Sequence, residues 1–397
     1  MSVGPGSVPN MTKTPTAPVL SVRELNRATL ARQLLLRRAT LSAKDAVEHL
    51  VGLQAQNVKP PYHALAARLE GFAPLELSAA MEAREVVRIV TMRSTIHTHT
   101  ADDCLTLRPL VQAARERELY GFRKGLAGVD LDRLAAISRE LVEAEPRTMK
   151  QLREALLTEW PDADPSALAI AARCRLPLVQ VTPRGLWGRS GQVALTTAEH
   201  WLGRPSEPAP APDATVLRYL AAFGPASVKD MQTWAGLTRL REAFERLRPH
   251  LVTFTDEHGA ELFDLPDAPR PDADTPAPAR LLPEFDNLLL SHADRSRVVS
   301  ADYKGRTWRG NQAYPTLLVD GFLAGVWRLE ETGERSVLTV EPFGTLTGRR
   351  RAEVTEEAAR MLTALSGTPS PSQAPTASSS ASSSVSYDIR FGTVVRG

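Results

Sequence analysis

The sequence predicts an α+β protein: three tandem winged-helix (helix-turn-helix) subdomains followed by a small C-terminal antiparallel β-barrel. A pattern of three helices (four in the second instance) followed by two β-rich segments occurs three times, and this is the order of a winged helix. After residue 280 the pattern changes to short strands parted by turn sequences such as Asp320-Gly321. Repetition of one supersecondary unit indicates an array of similar subdomains.

Composition limits the class of protein. The chain has 397 residues, of which 43% are hydrophobic, so several packed cores are expected. It has no apolar run of about 18 residues, so no membrane span is predicted. Its two cysteines, Cys104 and Cys174, lie far apart and are predicted to be free thiols. We therefore expect a cytoplasmic, nucleoid-associated protein without structural zinc or cofactor.

The first subdomain is predicted at residues 19–100, after a disordered Pro/Gly-rich N-terminus at 1–18. Its first helix begins at Ser21, where Ser21 and Glu24 form a capping-box pattern. Ser42 and Asp45 repeat that pattern at the second helix. The predicted helices are 21–37, 42–54 and 75–84, and the predicted strands are 86–91 and 94–100.

The second subdomain is predicted at residues 101–202, with helices at 102–122, 131–143, 148–160 and 165–175 and strands at 178–182 and 192–196. The loop between these strands contains Arg184 and Arg189 together with glycines and a tryptophan. Such a loop is typical of a wing that contacts the DNA backbone. An exposed basic hairpin without a ligand has the same composition.

The third subdomain is predicted at 214–265, between linkers at 203–213 and 266–279. Residues 280–366 are predicted to form the barrel and a closing helix near 355–365. A Ser/Pro-rich low-complexity insertion follows at 367–386, and a terminal strand lies within 387–397. The stretch 303–311 is basic with interleaved aromatic residues, which favours a loop that enters a DNA groove through Lys304, Arg306 and Arg309.

Two glutamines end the predicted second helix. The apolar face of residues 47–51 leads to Gln54, with Gln56 two residues further on, and Pro60-Pro61 is predicted to stop the helix. A carboxamide both donates and accepts hydrogen bonds but is neither acid nor base near neutral pH. Two convergent carboxamides could orient one water molecule, whereas solvated glutamines at a helix end are the alternative interpretation.

Three motifs occur in order: GLQAQ at 52–56 ahead of Pro60-Pro61-Tyr62, MRSTIH at 92–97, and LPEFDNLLLSHADR at 282–295. Together they resemble the winged-helix DNA glycosylase family typified by AlkZ, over roughly residues 19–366 and the terminal strand. The resemblance implies three winged helices and a β-barrel. It also implies that Gln54 and Gln56 are catalytic. A sister branch has Asp at the second position, so this chain resembles the QxQ branch, which excises bulky N7-alkylguanines and interstrand crosslinks made by bacterial genotoxins.

The resemblance further implies a monofunctional hydrolase that acts as a monomer on double-stranded DNA containing alkylated guanine and gives self-resistance. Arg93 and His97 match the second motif and would face the DNA or the lesion; a core arginine and a buried-strand histidine are the alternative. Asp286 and Asn287 are expected to be structural. His97 and His99 lie two apart on one strand, but no third ligand follows convincingly, so no metal site is predicted.

Two other functions remain open from the sequence. A transcriptional regulator built from winged helices would bind DNA without releasing a base. A toxin-sequestering resistance protein would bind the toxin and not DNA. Three unequal repeats in one chain favour scanning of DNA without sequence preference over the symmetric reading of an operator.

Overall fold

A computed structural model describes residues 17–310, 312–332, 335–366 and 386–393. The expectations for a disordered segment at 1–18 and an insertion at 367–386 lie outside the described residues, apart from positions 17, 18 and 386.

The fold is a mixed α+β architecture, in which the N-terminal part of the chain is rich in helices and the C-terminal part is rich in strands. The helices are α1 Val22–Arg32, α2 Ala43–His49, α3 Pro60–Arg68, α4 Pro74–Glu82, α5 Ala101–Leu110, α6 Gln112–Tyr120, α7 Leu131–Ala144, α8 Met149–Glu159, α9 Pro165–Arg175, α10 Ala198–Leu202, α11 Pro212–Phe223, α12 Val228–Ala235, α13 Arg241–Leu247, α14 Asn287–Leu290 and α15 Gly348–Ser366. The strands are β1 Val19–Leu20, β2 Leu53–Gln54, β3 Val86–Val90, β4 Ile96–Thr100, β5 Arg147–Thr148, β6 Leu178–Gln180, β7 Ala194–Thr197, β8 Val252–Asp256, β9 Glu261–Asp264, β10 Arg280–Leu282, β11 Trp308–Arg309, β12 Gln312–Ala313, β13 Thr316–Val319, β14 Phe322–Thr332, β15 Arg335–Pro342 and β16 Ser386–Phe391.

The helix predicted at 42–54 is wrong in its second half. Ser42 caps α2 as expected, but α2 ends at His49 and Gln54 lies in strand β2. Val51 has a left-handed φ of 54°, which ends the helix before the glutamines. Pro60 begins α3 instead of stopping a helix, because the first turn of a helix needs no N–H donor there.

One six-stranded sheet joins the first two predicted subdomains, in the strand order β2-β4-β3-β6-β7-β5. All its pairs are antiparallel. The junction is the pair β3–β6, where Arg88 lies opposite Gln180. The predicted boundary at residue 100 therefore falls between elements that share a sheet.

The segment predicted as the third subdomain packs against the end of the first. Its helices α11 and α12 bring together Tyr219, Phe223 and Trp234, with ring centroids 5.1 to 5.7 Å apart. The same core includes Val51, just before the GLQAQ motif, and Met92, the first residue of the MRSTIH motif. The third helical segment is thus in contact with the region of the candidate site.

The C-terminal strands form an open sheet, not a closed barrel, in the described part of the chain. The order is β10-β13-β14-β15-β16, so β10 and β16 are opposite edges, and α15 packs on both of them. β15 and β16 pair in parallel, in contrast to the expected antiparallel arrangement. A parallel pair needs a long connection, and α15 with residues 367–385 lies between these strands.

The predicted linker at 266–279 has no helix or strand, yet it is held along α1. Arg23, Arg27 and Arg32 donate hydrogen bonds to its backbone carbonyls, at Ala273, Thr275 and Pro269 respectively. Side chains of α1 thus fix the path between the third helical segment and the C-terminal sheet.

Among the described residues, no helix combines the length and apolar character that a bilayer crossing requires. Cys104 and Cys174 are buried free thiols, as predicted.

Candidate active site

A glycine turn sets the position of Gln54. Gly52 has a φ of 91°, and a Cβ at this position would lie 2.3 Å from the His99 ring, so only glycine fits. The chain then enters β2, where Gln54 lies opposite His97 of β4. Backbone conformation and the histidine ring together direct the glutamine segment along the edge of the six-stranded sheet.

Asp286 and Asn287 hold this turn from the C-terminal part of the chain. Asn287 Nδ2 donates to the carbonyl of Gly52 at 2.7 Å and to that of Leu50 at 3.3 Å. Asp286 forms a fully buried bidentate pair with Arg68, at 2.8 Å for each bond. Their expected structural function is confirmed.

Gln54 is buried, with 7% of its surface exposed, and its side chain has a fixed orientation. Its Oε1 accepts a hydrogen bond of 2.9 Å from Arg93 Nη2. Because a guanidinium has donors only, the carboxamide oxygen faces Arg93. The other terminal nitrogen of Arg93 donates to the backbone carbonyl of Trp234.

Gln56 is exposed, and its side chain supplies a hydrogen bond that the backbone does not form between β2 and β4. The amide of Ala55 donates to the carbonyl of Ile96 at 2.7 Å, but the carbonyl of Ala55 accepts from Arg88 Nη2 at 2.8 Å. The free N–H of Ile96 instead donates to Gln56 Oε1 at 3.0 Å. This bond orients the oxygen of the second carboxamide, as Arg93 orients that of the first.

Arg93 and His97 lie behind Gln54. Burial, and then the nearby cation of Arg295, lower the pKa of Arg93 to about 10, so the guanidinium stays charged at neutral pH. Burial and the Arg93 charge lower the pKa of His97 well below its usual value, so its ring is neutral. His97 Nδ1 donates to the carbonyl of Thr95 at 3.0 Å, which leaves Nε2, 3.4 Å from Arg93 Nη2, as an acceptor.

His99 lies next to His97, with ring centroids 5.5 Å apart, and contacts Thr91 Oγ1 at 2.8 Å through Nε2. Burial lowers its pKa to about 4. The described residues contain no group of three or more His, Cys, Asp or Glu side chains arranged to hold a metal ion.

The predicted wing folds back onto the first helices. The carbonyl of Gly185 accepts a 2.7 Å hydrogen bond from Tyr62 Oη, and Trp187 packs on the Tyr62 ring at 4.8 Å. Arg184 is half-buried, and its Nη1 reaches the carbonyl of Gly191 at 3.5 Å. Arg189 is exposed at the tip. The loop also approaches the glutamines, because Gly185 packs on Arg88, which in turn binds Ala55.

The basic stretch at 303–311 contains β11, which pairs with β12 just beyond it to form a two-stranded hairpin. Trp308 in β11 meets Phe285 edge to face at 5.5 Å, which anchors the hairpin beside Asp286 and Asn287. Lys304 is exposed, and the Arg306 guanidinium lies 5.3 Å from the Tyr303 ring. Arg309 lies in β11, and the structure does not describe its side chain.

Comparison with known proteins now identifies the family. The family model described as "DNA glycosylase AlkZ-like" matches residues 47–364. The chain belongs to the AlkZ-like DNA glycosylase family. It is therefore a DNA-repair enzyme that hydrolyses the N-glycosyl bond between a base and its sugar in DNA.

A curated sequence and a solved structure, both from Streptomyces sahachiroi, resemble this AlkZ-like chain. An interstrand DNA cross-link repair glycosylase is 26% identical over an alignment of 346 residues, and the match covers 79% of this chain and 88% of that protein. The solved structure of the DNA glycosylase AlkZ has a TM-score of 0.72 at 20% identity and covers 94% of this chain and 100% of its own. The structural match supports the mixed α+β fold.

Sequence reasoning missed two members of the AlkZ-like site. Arg295 ends the third motif and lies close enough to Arg93 to lower the pKa of Arg93. In the described part of the chain its guanidinium has no hydrogen bond or carboxylate partner, and although the residue is exposed, partial desolvation of the guanidinium lowers its own pKa. Trp234 contributes only its carbonyl, which no sequence pattern predicts. The position of Arg295 within the third motif was the one available signal.

Proposed function

We propose that this chain is a monofunctional DNA glycosylase that removes bulky N7-alkylguanine adducts, interstrand crosslinks among them, with Gln54 and Gln56 as catalytic residues. The observation that carries the proposal is the pair of carboxamides at the end of β2. Each has its oxygen held by a donor: Arg93 for Gln54 and the Ile96 N–H for Gln56. The name of the cross-link repair glycosylase from S. sahachiroi supports crosslinks as the substrate class.

The chemistry suits neutral catalytic groups. Alkylation at N7 places a positive charge on guanine, so the base is a good leaving group and the transition state resembles an oxocarbenium ion. A strong general base is less necessary for such a leaving group than for a neutral one. The nearby lysine, Lys59, is engaged by Glu331. A mechanism with water as nucleophile and no strand cleavage is therefore proposed.

Each carboxamide oxygen has a second lone pair, because the bond from Arg93 or Ile96 uses only one. Two such oxygens can accept both hydrogens of one water and direct its lone pair towards C1′. Their dipoles would also stabilise positive charge that develops on the sugar, without reorganisation during the reaction.

Positive side chains in the 183–191 loop and the 303–311 stretch support the proposal that the protein binds the DNA backbone. Arg189 and Lys304 are exposed, and Arg184 and Arg306 are half-buried. We propose that these residues and Arg309 contact phosphates, with the three winged-helix units and the hairpin arranged around the duplex. Arg93 is half-buried and bonded to Gln54 Oε1, and His97 is buried next to Arg93. This arrangement favours a positioning role for both residues, and the exposed Arg295 is proposed to contact the DNA.

The proposal includes action as a monomer and a role in resistance to a DNA-alkylating natural product. A crosslinked guanine stays attached to the opposite strand and cannot leave the duplex fully, so approach through a groove is proposed instead of complete base flipping.

The direct test uses a duplex with a single N7-methylguanine under single-turnover conditions. We expect the wild-type protein to release the base, and the double variant Gln54→Ala/Gln56→Ala to lose at least about 10²-fold in rate, comparable to the loss of one preorganised polar group elsewhere. Free base is measured by chromatography, and abasic sites by alkaline cleavage.

The exposed Gln192 provides the control, because Gln192→Ala removes a carboxamide outside the site. A gel shift with the same duplex should give equal affinity for all three proteins. Wild-type rates in the double variant would refute the assignment of the glutamines. Binding without release by the wild type would instead support a regulator, and affinity for a toxin alone would support sequestration.

A further inference from the structure

Arg88 of β3 reaches across the six-stranded sheet to the glutamine segment. Strand β4 lies between β3 and β2, so the side chain passes over one strand before its Nη2 donates to the carbonyl of Ala55 at 2.8 Å. On the other side of β3, its Nε donates to Gln180 Oε1 in β6 at 3.2 Å. Ala55 is the residue between Gln54 and Gln56, so one guanidinium is bonded to the backbone between the two proposed catalytic carboxamides.

The guanidinium of Arg88 is a costly group to bury. The residue is 2% exposed, and its Nη1 has no hydrogen-bond partner among the described residues. The acceptors of its other nitrogens in that part of the chain are neutral amides, with no carboxylate among them. Burial and then the Arg184 cation lower its pKa to about 10, so it stays charged at neutral pH. Buried charges are normally paired, so this one points to a role other than stability.

The bond from Arg88 changes the pairing of β2 with β4. The Ala55 N–H donates to the carbonyl of Ile96 at 2.7 Å, and residues opposed in this way normally exchange a second bond, from the Ile96 N–H to the Ala55 carbonyl. Arg88 occupies that carbonyl, and the Ile96 N–H donates to Gln56 Oε1 at 3.0 Å instead. Without the guanidinium the two backbone groups are free to pair, and Gln56 loses the donor that orients its side chain.

The loop at 183–191 packs on Arg88. Gly185 is buried with a φ of 104°, and a Cβ at this position would lie 2.6 Å from Arg88 Cδ. The carbonyl of Gly185 accepts the 2.7 Å hydrogen bond from Tyr62 Oη, which fixes the loop at this point. A larger residue at position 185 would therefore displace the arginine side chain from its place beneath the loop.

We propose that Arg88 is a positioning residue for base excision. It holds the Ala55 carbonyl out of the strand ladder and so reserves the Ile96 N–H for Gln56. Arg88 acts through the second carboxamide and does not touch the substrate, because its guanidinium is buried. The inference rests on the proposed function, since the direction of the Gln56 oxygen matters to the rate only if that oxygen takes part in the reaction.

The test is a double-mutant cycle on the duplex with N7-methylguanine under single-turnover conditions. Arg88→Met keeps an unbranched side chain and removes every donor. We expect it to slow base release about tenfold or more with unchanged affinity in a gel shift, and to change the rate less than about twofold in the Gln56→Ala background. No loss in the wild-type background, or the same loss in both backgrounds, would overturn the inference.

Arg108→Met is the matched control. Arg108 is also 2% exposed, and its Nη2 donates to the carbonyls of Cys174 and Leu176, at the end of α9 and not in the glutamine segment. We expect this variant to keep the wild-type rate within about twofold. A loss as large as that of Arg88→Met would mean that the rate responds to the removal of any buried guanidinium, which would overturn the assignment.

A second variant decides if Arg88→Met fails to fold in thermal melts. Gly185→Ala displaces the arginine from outside and takes its place in the cycle, with the same expected losses. Gly188→Ala is its control, because Gly188 lies in the same loop with a φ of 67° and a Cβ there would meet nothing within 4 Å.

A crystal structure of the Arg88→Met variant, or of Gly185→Ala in its place, gives a readout independent of activity. We expect the Ala55 carbonyl to lie about 2.9 Å from the Ile96 nitrogen, with Gln56 Oε1 no longer bonded there. Gln56 Oε1 still on the Ile96 N–H would overturn the inference and leave the glycosylase proposal intact. Release of no base by the wild-type protein would overturn the proposed function, whereas the variant structure would still show whether Arg88 directs Gln56.

Discussion

Gln56 combines a structural bond with the proposed chemistry. Its Oε1 accepts the N–H of Ile96 because the carbonyl of Ala55 is taken by Arg88. A plain glutamine-to-alanine change therefore removes two things at once, the proposed water ligand and the last hydrogen bond of the strand edge. A substitution that keeps an acceptor at the same reach separates them.

Gln56→Glu retains the acceptor, whereas Gln56→Ala does not. We expect Gln56→Glu to release N7-methylguanine within about tenfold of the wild-type rate and Gln56→Ala to be slower by about 10²-fold. Single-turnover assays measure both rates. Equal rates for the two variants would show that the oxygen at this position is not needed.

The sequence identified Gln54, Gln56, Arg93 and His97 as one group but not how they are connected. The motifs are adjacent in space because β2 pairs with β4, which aligns Gln54 with His97. Arg93 was expected at the DNA or the lesion. Arg93 is half-buried and bonded to Gln54, and contact with DNA stays a prediction. It has a left-handed φ of 52° in the short turn before β4, and a non-glycine residue in that conformation is not predictable from composition.

At the scale of elements, local signals predicted helix starts better than helix ends. The capping boxes of α1, α8 and α12 depend on neighbours three residues apart, so the sequence contains the whole cause. The end of α2 depends on the packing of Gly52 against His99, which lies 47 positions later in the chain. The periodicity of the local sequence contains no trace of this contact, so it predicted a helix that is too long. α3 was missed because its opening prolines were interpreted as a stop.

Gly52→Ala tests this turn. The added Cβ would meet the His99 ring at 2.3 Å and occupy a φ of 91°, so we expect a loss of at least about 2 kcal/mol in the free energy of unfolding, measured by urea titration. Gly259→Ala is the control. Gly259 has a similar φ of 80° with nothing within 4 Å, so its loss should be about 1 kcal/mol. Equal losses would mean that the His99 contact is unimportant.

At the scale of the whole molecule, the predicted subdomains are not independent of one another. The repeat pattern predicted similar units, but it could not predict that β3 and β6 pair across 92 positions, with Arg88 bonded to the side chain of Gln180. The open C-terminal sheet was also beyond prediction, because strand lengths and turns do not say whether edge strands meet. Long-range pairing is decided by packing between distant segments, and α15 covers both edges here.

Buried neutral histidines make the stability of the whole chain pH-dependent. Burial lowers the pKa of His63 and His292 to about 3 and that of His99 to about 4, and it lowers the pKa of His97 well below its usual value. As the pH falls below about 6.5, the unfolded chain takes up protons that the folded chain cannot, so stability falls with pH. The fall approaches about 1.4 kcal/mol per pH unit for each such histidine.

Urea midpoints between pH 7 and pH 5 measure this loss, in a window where carboxyl groups titrate little. His63→Leu should flatten the fall, and His258→Ala, at an exposed turn, should not change it. A midpoint that is constant across the window would contradict the buried, neutral state of these rings.

Trp234 and Gly236, at the end of α12, contact Arg93. The carbonyl of Trp234 accepts a hydrogen bond from the Arg93 guanidinium, and a Cβ on Gly236 would lie 3.0 Å from the Arg93 backbone nitrogen. Residues 214–265 are therefore not an independent DNA-binding module that can be exchanged without effect on the site. A chimera that takes this segment from a distant homologue should show an altered rate of base release as well as altered DNA affinity, because the segment contacts Arg93.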